Sequence, residues 1–297
     1  MLVTTIKGVI PPMITPFKEN GDVDYDGHIE NMQHWNEDLL TGYLVLGSNS
    51  ETVYLNEEEK LKLVELTVKH AKKDRLILVG SGLESARETI SLTNKAADLG
   101  ADAALILTPS YYYAMMNDEA QIRFFTEVAD QTKIPILIYN VTAFTHINIS
   151  VKAVRELSKH PNIIGMKDST GNVPQLVSFL DVIPDDFNLL VGTASAWYPA
   201  LGLGITGGIF ALANCAPNEC SQVQIAFDQG DLEGAREMYL RIFPVNAAVT
   251  AQFGISGLKY ASKLTGYHSG FVRNPLLPLT ENEKEKILTI LKRAQLV

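Results

Sequence analysis

Residues 136–169 read ILIYNVTAFTHINISVKAVRELSKHPNIIGMKDS, and this stretch decides the fold. Its two apolar runs, Ile136 to Tyr139 and Ile163 to Met166, are too short and too continuous for amphipathic surface strands, so each predicts a strand buried on both faces. Between them Ser150 opens a helical segment and Pro161 closes it. Strands joined through a helix run parallel, because such a crossover needs a dozen or more residues.

The same unit repeats in both directions along the chain. Further apolar runs lie at Gly8 to Ile14, Tyr43 to Leu46, Leu76 to Val79, Ala103 to Leu107, Leu189 to Val191 and Gly208 to Leu212. Asn56 with Glu59, and Ser85 with Glu88, have the pattern in which a side-chain oxygen caps the first-turn amides of a helix and the acid answers back. Gly100 follows the segment Glu84 to Leu99, where a left-handed residue ends a helix. Eight such units in about 210 residues predict an α/β fold, the (β/α)8 TIM barrel, whose closure leaves no sheet edge exposed. The competing open doubly wound sheet calls for a GxGxxG turn after its first strand, and Gly80-Ser81-Gly82 lacks the third glycine. Beyond the eighth run one helix is predicted around Leu232 to Phe243, and a last one is capped by Thr280 and Glu283. Residues 1–220 are therefore expected to form the barrel and residues 221–297 a C-terminal helical extension. The two would be a single structural unit, since no Pro/Gly/Ser-rich linker divides them.

Composition narrows the class of function. The 297 residues are 46% hydrophobic and 20% charged, which suits a globular protein with a sizeable core. A net charge of -9, with Lys and Arg dispersed, argues against nucleic acid as a partner. No run reaches the roughly 18 apolar residues of a membrane span, and the N-terminal MLVTTIKGVIPP lacks the layout of a secretory signal, so a cytoplasmic location is expected. Cys215 and Cys220 make neither a redox pair nor a metal finger and are expected to be buried free thiols. The six histidines, His28, His34, His70, His146, His160 and His268, form no metal-binding pattern, and no metal is expected.

In parallel barrels the active site lies at the carboxyl ends of the strands. Three of the apolar runs stop at polar groups: Tyr139-Asn140, Lys167-Asp168-Ser169, and Gly47-Ser48-Asn49-Ser50-Glu51. A lysine after Ile-Ile-Gly-Met is held at the barrel mouth, where desolvation disfavours its ammonium and leaves a nucleophilic amine. The alternative is a lysine that snorkels to solvent or pairs with Asp168. Tyr139 stands on the neighbouring strand, and an equivalent register would bring its phenol to the amine as a proton shuttle; otherwise it is a core tyrosine. The loop from Gly47 to Glu51 has donors suited to a carboxylate or an oxyanion, although Glu51 would also serve simply to brace it. Tyr111, Tyr112 and Tyr113 would form an aromatic patch after the fourth strand.

Five motifs stand in order: GSNSE at Gly47, GADAALILTPSYY at Gly100, IYNV at Ile138, IIGMKDSTG at Ile163 and NAAVTAQFGISGLK at Asn246. With them the chain resembles, over nearly its whole length, the dihydrodipicolinate synthase and N-acetylneuraminate lyase family of class I aldolases. Its Gly-Ser-Asn, Lys-Asp-Ser and Asn-Ala-Ala-Val-Thr segments look most like 4-hydroxy-2-oxoglutarate aldolase. The resemblance implies that Lys167 attacks the ketone of pyruvate or another 2-oxo acid while Tyr139 relays protons. The resulting iminium is an electron sink that needs no cofactor or metal. It further implies that Ser48 and Asn49 bind the pyruvyl carboxylate and that Ser169, Gly192 and Ile209 line the pocket. Tyr111 or Tyr112 would extend the relay, reaching a neighbouring subunit of a homo-oligomer, a tetramer or a dimer.

The implied reaction is reversible cleavage of a 4-hydroxy-2-oxo acid, such as 4-hydroxy-2-oxoglutarate, to pyruvate and an aldehyde. Other readings are a 2-keto-3-deoxy sugar acid aldolase, a dihydrodipicolinate synthase, or a non-catalytic pyruvate-binding sensor. The synthase branch typically has Thr-Thr where Ser48 and Asn49 stand, and an arginine where this chain reads Val141-Thr142-Ala143-Phe144. Two further departures are Ser50 for a glycine of the second loop, and Thr142 with His146 for a proline and a glycine. His146 is thereby placed to affect which aldehyde fits.

Overall fold

The computed structural model describes residues 5–297; residues 1–4, which begin the segment read as lacking a secretory signal, lie outside the described residues. Strands and helices alternate through the first two-thirds of the chain as β1 (Gly8–Ile10), α1 (Tyr25–Glu37), β2 (Gly42–Val45), α2 (Glu57–His70), β3 (Leu76–Gly80), α3 (Ala86–Asp98), β4 (Ala103–Leu107) and α4 (Asp118–Gln131). They continue as β5 (Ile136–Asn140), the one-turn α5 (Thr142–Thr145), α6 (Val151–Leu157), β6 (Ile163–Asp168), α7 (Val173–Leu180), β7 (Asn188–Val191), α8 (Trp197–Leu201), β8 (Gly207–Ile209) and α9 (Pro217–Asp228). The C-terminal helices are α10 (Leu232–Ala247), α11 (Gly254–Leu264) and α12 (Glu281–Arg293).

All eight strands are parallel, in the order β1-β8-β7-β6-β5-β4-β3-β2. The ring closes between β1 and β2, where Leu44 N donates to the Pro11 carbonyl at 3.0 Å and Met13 N donates to the Leu44 carbonyl at 2.9 Å. This is the TIM barrel expected from the repeat of short apolar runs. Three strands end earlier than the hydrophobic pattern suggests, β2 by one residue only, since Leu46 turns into the left-handed region at φ of +62°. Pro11 and Pro12 have no N–H to give a ladder, so β1 stops at Ile10 and not at Ile14. After β8 the chain turns into a 3-10 segment, Ala211–Asn214, and the Asn214 amide stands in for the ladder by donating to Pro12 O and accepting from Ile14 N, each at 3.0 Å. At the functional end the opposite holds, since β5 and β6 run on through Asn140 and Asp168 and place Lys167 inside its strand.

Side chains fill the barrel. Ile10, Leu44, Leu78, Leu105, Leu137 and Leu190 form an inner core, and a larger layer between strands and helices buries Trp35, Phe125, Phe179, Trp197 and Phe210. Each fully buried large apolar side chain contributes roughly 1.5–3 kcal/mol. Asn56 and Glu59 cap as read, Asn56 Oδ1 accepting from Glu59 N at 2.9 Å and Glu59 Oε2 from Asn56 N at 3.0 Å, and Gly100 has φ of +104°; Ser85 Oγ accepts from Glu88 N at 3.2 Å, but the Glu88 side chain does not answer back. Thr280 and Glu283 form the second capping box.

Ile242, Val245, Leu258, Ile287 and Leu291 of α10–α12 share the outer core of the barrel, so the extension packs as part of one body. Residue 220, where the sequence reading divides the two, falls within α9. Cys215 and Cys220 are free and buried, and burial pushes the Cys215 thiol up to about 12. Among the described residues no helix is long and apolar enough to cross a membrane, and no cluster of three or more His, Cys, Asp or Glu could hold a metal ion.

Candidate active site

The register of β5 against β6 pairs Tyr139 with Lys167 and Asn140 with Asp168. Paired residues of neighbouring strands share a face, and successive residues alternate, so these two pairs face opposite ways. Tyr139 belongs to the inner core of the barrel, and the Lys167 Nζ lies 4.4 Å from the centroid of its ring. Lys167 is 3% exposed, and this burial holds the amine below the usual lysine range, the nearby Tyr139 phenol opposing the shift only in part.

Lys167 neither snorkels nor pairs with Asp168. The Asp168 carboxylate, on the outer face, accepts from Asn140 Nδ2 (2.7 Å), Gln175 Nε2 (2.9 Å), Thr170 N (3.0 Å) and Thr170 Oγ1 (2.5 Å). Four uncharged donors thus satisfy the acid. The neighbouring amine is left free of a counter-ion that would favour its protonated form.

Gly192, directly after β7, donates its N–H to the Asp168 carbonyl at 2.6 Å. A Cβ at this glycine would stand 1.9 Å from Ser169 Oγ and 2.8 Å from Lys167 Cε, so the missing side chain makes room for the lysine arm. Ser169 Oγ is buried without a hydrogen-bond partner, a donor available to a ligand. Ile209, expected in the same lining, is fully buried in the inner core.

Three residues given no site role in the sequence analysis stand beside Gly192: Thr193, Ser195 and Asn246, the last quoted there only as the start of a motif. Thr193 Oγ1 lies 3.0 Å from Ser195 Oγ and accepts from Asn246 Nδ2 at 3.4 Å, while Asn246 Oδ1 is buried and unpartnered. The polar end of β7, Gly192-Thr193, was the available signal for the first two. Asn246 comes from α10 and could be placed only through the fold.

Ser48 and Asn49 lie across the mouth, since β2 is diametrically opposite β6 in the strand order. They form a 3-10 turn, Ser48–Ser50, with both side chains half-buried. Ser50 Oγ pins the turn by donating to Met13 O at 2.5 Å, and Glu51 ends it in the left-handed region with φ of +55°. The tyrosines after β4 behave differently. Tyr111 and Tyr112 are 75% and 71% exposed and meet each other edge to face at 4.9 Å, so within one chain their rings are turned to solvent. Glu84 holds their loop by accepting from Ser110 N and Tyr111 N, each at 3.0 Å. Tyr113 meets His146 at 6.3 Å, and Phe144 is exposed on the same rim.

A desolvated lysine against a tyrosine at the carboxyl end of a (β/α)8 barrel defines a lyase of the class I aldolase type. Comparison with known proteins narrows the class: the model of the dihydrodipicolinate synthetase family matches residues 5–294, and the chain belongs to that family. A 4-hydroxy-tetrahydrodipicolinate synthase of Archaeoglobus fulgidus is 35% identical over 98% of this chain and 99% of its own length. One of Thermodesulfovibrio yellowstonii is 33% identical, covering 98% and 99%. Among solved structures, dihydrodipicolinate synthase of Acinetobacter baumannii complexed with pyruvate superposes with a TM-score of 0.93 at 29% identity, covering 98% of this chain and 100% of that one. The covalent lysine–pyruvate imine is the chemistry of this family, which draws on no further cofactor. The relatives named here are synthases, not 4-hydroxy-2-oxoglutarate aldolases.

Proposed function

We propose that Lys167 is the imine-forming nucleophile of a pyruvate-dependent enzyme and Tyr139 its proton shuttle. The observation that carries this is the buried Lys167 amine, lowered in pKa and set against the Tyr139 ring without a carboxylate partner. The amine adds to the carbonyl carbon of pyruvate, the carbonyl oxygen leaves as water after Tyr139 delivers protons, and the iminium draws the electron pair of the adjacent bond. In cleavage, that pair passes into an enamine as the substrate's hydroxyl loses its proton and departs as an aldehyde; condensation is the reverse. Ser48 and Asn49 receive the pyruvyl carboxylate across the mouth, and Ser169 with Gly192 and Ile209 shapes the pocket around the methyl group.

For the second substrate, the named relatives favour the synthase reading over the cleavage of 4-hydroxy-2-oxoglutarate expected from the motifs. The product in their name is a ring of two carboxylates and one nitrogen. Adding back the water lost when the ring closes and removing pyruvate leaves a four-carbon amino-acid aldehyde as the partner. One observation supports aldol cleavage as the second reading: the loop after β5 reads Val141-Thr142-Ala143-Phe144, with Phe144 61% exposed where the synthase branch has an arginine for a second carboxylate. The exposed Tyr111 and Tyr112 support a homo-oligomer, a tetramer or a dimer, in which these rings are covered.

Borohydride reduction with pyruvate tests the shared step, and absence of an adduct on Lys167 by mass spectrometry sinks it. The purified protein is then assayed for 4-hydroxy-tetrahydrodipicolinate formation from pyruvate and the amino-acid aldehyde. It is assayed in parallel for pyruvate release from 4-hydroxy-2-oxoglutarate and from a 2-keto-3-deoxy sugar acid. Turnover in one arm alone decides between the readings.

A further inference from the structure

Glu51 ends the turn that carries Ser48 and Asn49, and it does so in a conformation that disfavours any residue but glycine, with φ of +55°. Backbone strain of this kind persists where the surroundings require a particular side chain. Here the side chain is a carboxylate with no solvent exposure. Its Oε1 lies 2.5 Å from Lys259 Nζ, whose side chain is 3% exposed, and its Oε2 accepts from Arg273 N at 2.8 Å.

The surrounding groups come from three separate parts of the fold. Lys259, on α11, also donates to the Phe271 carbonyl at 2.5 Å and stands 4.5 Å from the ring of Phe17, in the loop after β1. The Arg273 guanidinium caps the same ring at 4.3 Å and pairs with Glu59 at 2.7 Å, while it donates to the carbonyls of Gly21 (2.6 Å) and Tyr54 (2.7 Å). The C-terminal extension thus clasps the loops after β1 and β2 from behind.

Stability alone is a poor reason for such a cluster. Burying two opposite charges costs solvation that their attraction often fails to recover, and apolar side chains of similar volume commonly hold a core as well or better. Burial lowers the Lys259 pKa to about 8 even against the pull of Glu51. What the pair supplies is position. Glu51 N donates to the Ser48 carbonyl at 3.2 Å, so fixing Glu51 from the extension fixes the backbone of the turn at its far end, as Ser50 Oγ fixes it from the barrel side.

We infer that the buried Glu51–Lys259 pair is a positioning device by which the C-terminal extension holds the Ser48–Asn49 turn in register for the carboxylate of the 2-oxo acid. The inference rests on the proposed role of Ser48 and Asn49, and its test separates the two. The readout is borohydride trapping across a range of pyruvate concentrations, which yields a half-saturating concentration and a limiting rate without need of the aldehyde. Glu51→Gln and Lys259→Met are each expected to raise the half-saturating pyruvate by about tenfold, the scale of one lost oriented hydrogen bond, with the limiting rate within about threefold.

Single variants leave a buried charge alone and lower the melting temperature; if either fails to fold, the double variant Glu51→Gln/Lys259→Met, which leaves no such charge, replaces it. That protein is expected to melt near the wild-type temperature and still to need more pyruvate. Half-saturation at the wild-type concentration in the folded double variant overturns the positioning role. Ser48→Ala is measured alongside: a raised half-saturation there with an unchanged one in the Glu51 and Lys259 variants overturns the positioning role alone. An unchanged value in Ser48→Ala overturns the carboxylate role of the turn, and the inference with it.

Discussion

Gly192→Ala puts one methyl group into the pocket at a place where its consequences can be worked out. Gly192 is not among the glycines with positive φ, so alanine meets no backbone strain there, and the effect is steric. The new Cβ would lie 1.9 Å from Ser169 Oγ and 2.8 Å from Lys167 Cε. Ser169 Oγ has no hydrogen bond to lose, so it can rotate to another staggered position at small cost. Lys167 Cε must withdraw by roughly 0.7 Å to reach an ordinary carbon–carbon contact of about 3.5 Å. Because both obstacles are movable side-chain atoms, destabilisation is expected at the low end for overpacking, about 1 kcal/mol. That is a fall of ~2 °C in melting temperature for a chain of this size. The amine, however, is displaced from its place over the Tyr139 ring, and a misplacement near 1 Å slows a positioned reaction by about 10²-fold. The assay is the rate of borohydride-trapped pyruvate adduct at saturating pyruvate, beside a thermal melt. A rate within twofold of the wild type refutes the claim that this glycine exists to admit the lysine. A large loss of melting temperature would mean that the floor of the pocket, not the amine, gave way.

Lys167→Ala is expected to form no adduct while remaining folded, and Tyr139→Phe to form it about 10²-fold more slowly; normal adduct formation in either removes the role assigned. The rate of adduct formation should climb with pH until the Lys167 amine is fully neutral and level off at a pH below the ordinary lysine pKa. Between the lowered folded value and the unfolded one the unfolded chain binds the proton more tightly, so this group's contribution to stability should rise with pH over the same window. Calorimetry with the Lys167→Ala protein as reference checks that sign. Arg273→Ala strips Glu59 and the Gly21 and Tyr54 carbonyls of their partner and should cost about 2–3 kcal/mol near neutral pH. The Arg273 hydrogen bond is the main reason that the Glu59 pKa is lowered, so this contribution is present above the unfolded carboxylate pKa and is lost as pH falls through the folded one. Acid melts of the variant should lack that limb.

Lys167 and Asp168 show how strand geometry sorts chemistry that adjacency in sequence leaves mixed. In the primary structure the acid is the nearest partner for the amine. On a strand the two side chains face opposite ways, and the barrel makes one face interior and the other a polar seam toward α7. Asp168 is consumed there by Asn140, Gln175 and Thr170, so its charge does not oppose the lowering of the Lys167 pKa by burial. The strand that carries Lys167 into the barrel also keeps the neighbouring acid away from it.

This separation explains how far the sequence could be read. Strands buried on both faces leave a continuous apolar signature, and a polar residue at the end of one has few places to go, so the eight strands and the pairing of Tyr139 with Lys167 were legible from periodicity and order alone. Their ends were less so: Pro11 and Pro12 shorten β1 by withholding donors that a hydropathy pattern does not register. Asn246 was out of reach for a different reason, because it enters the wall from α10, and contacts across more than fifty residues to Thr193 follow only from the packing of the extension. Glu51 was seen as a brace without its partner, since nothing local announces that Lys259 lies behind it. The aldehyde half is the least legible. His146 and Phe144, the residues expected to bear on it, stand on a rim loop where no ladder fixes direction and, at the exposed Phe144, no burial limits the choice of side chain. The residues proposed for pyruvate stand in or directly after barrel strands, whereas those expected to bear on the second substrate stand on a rim loop, where the motifs and the relatives part company.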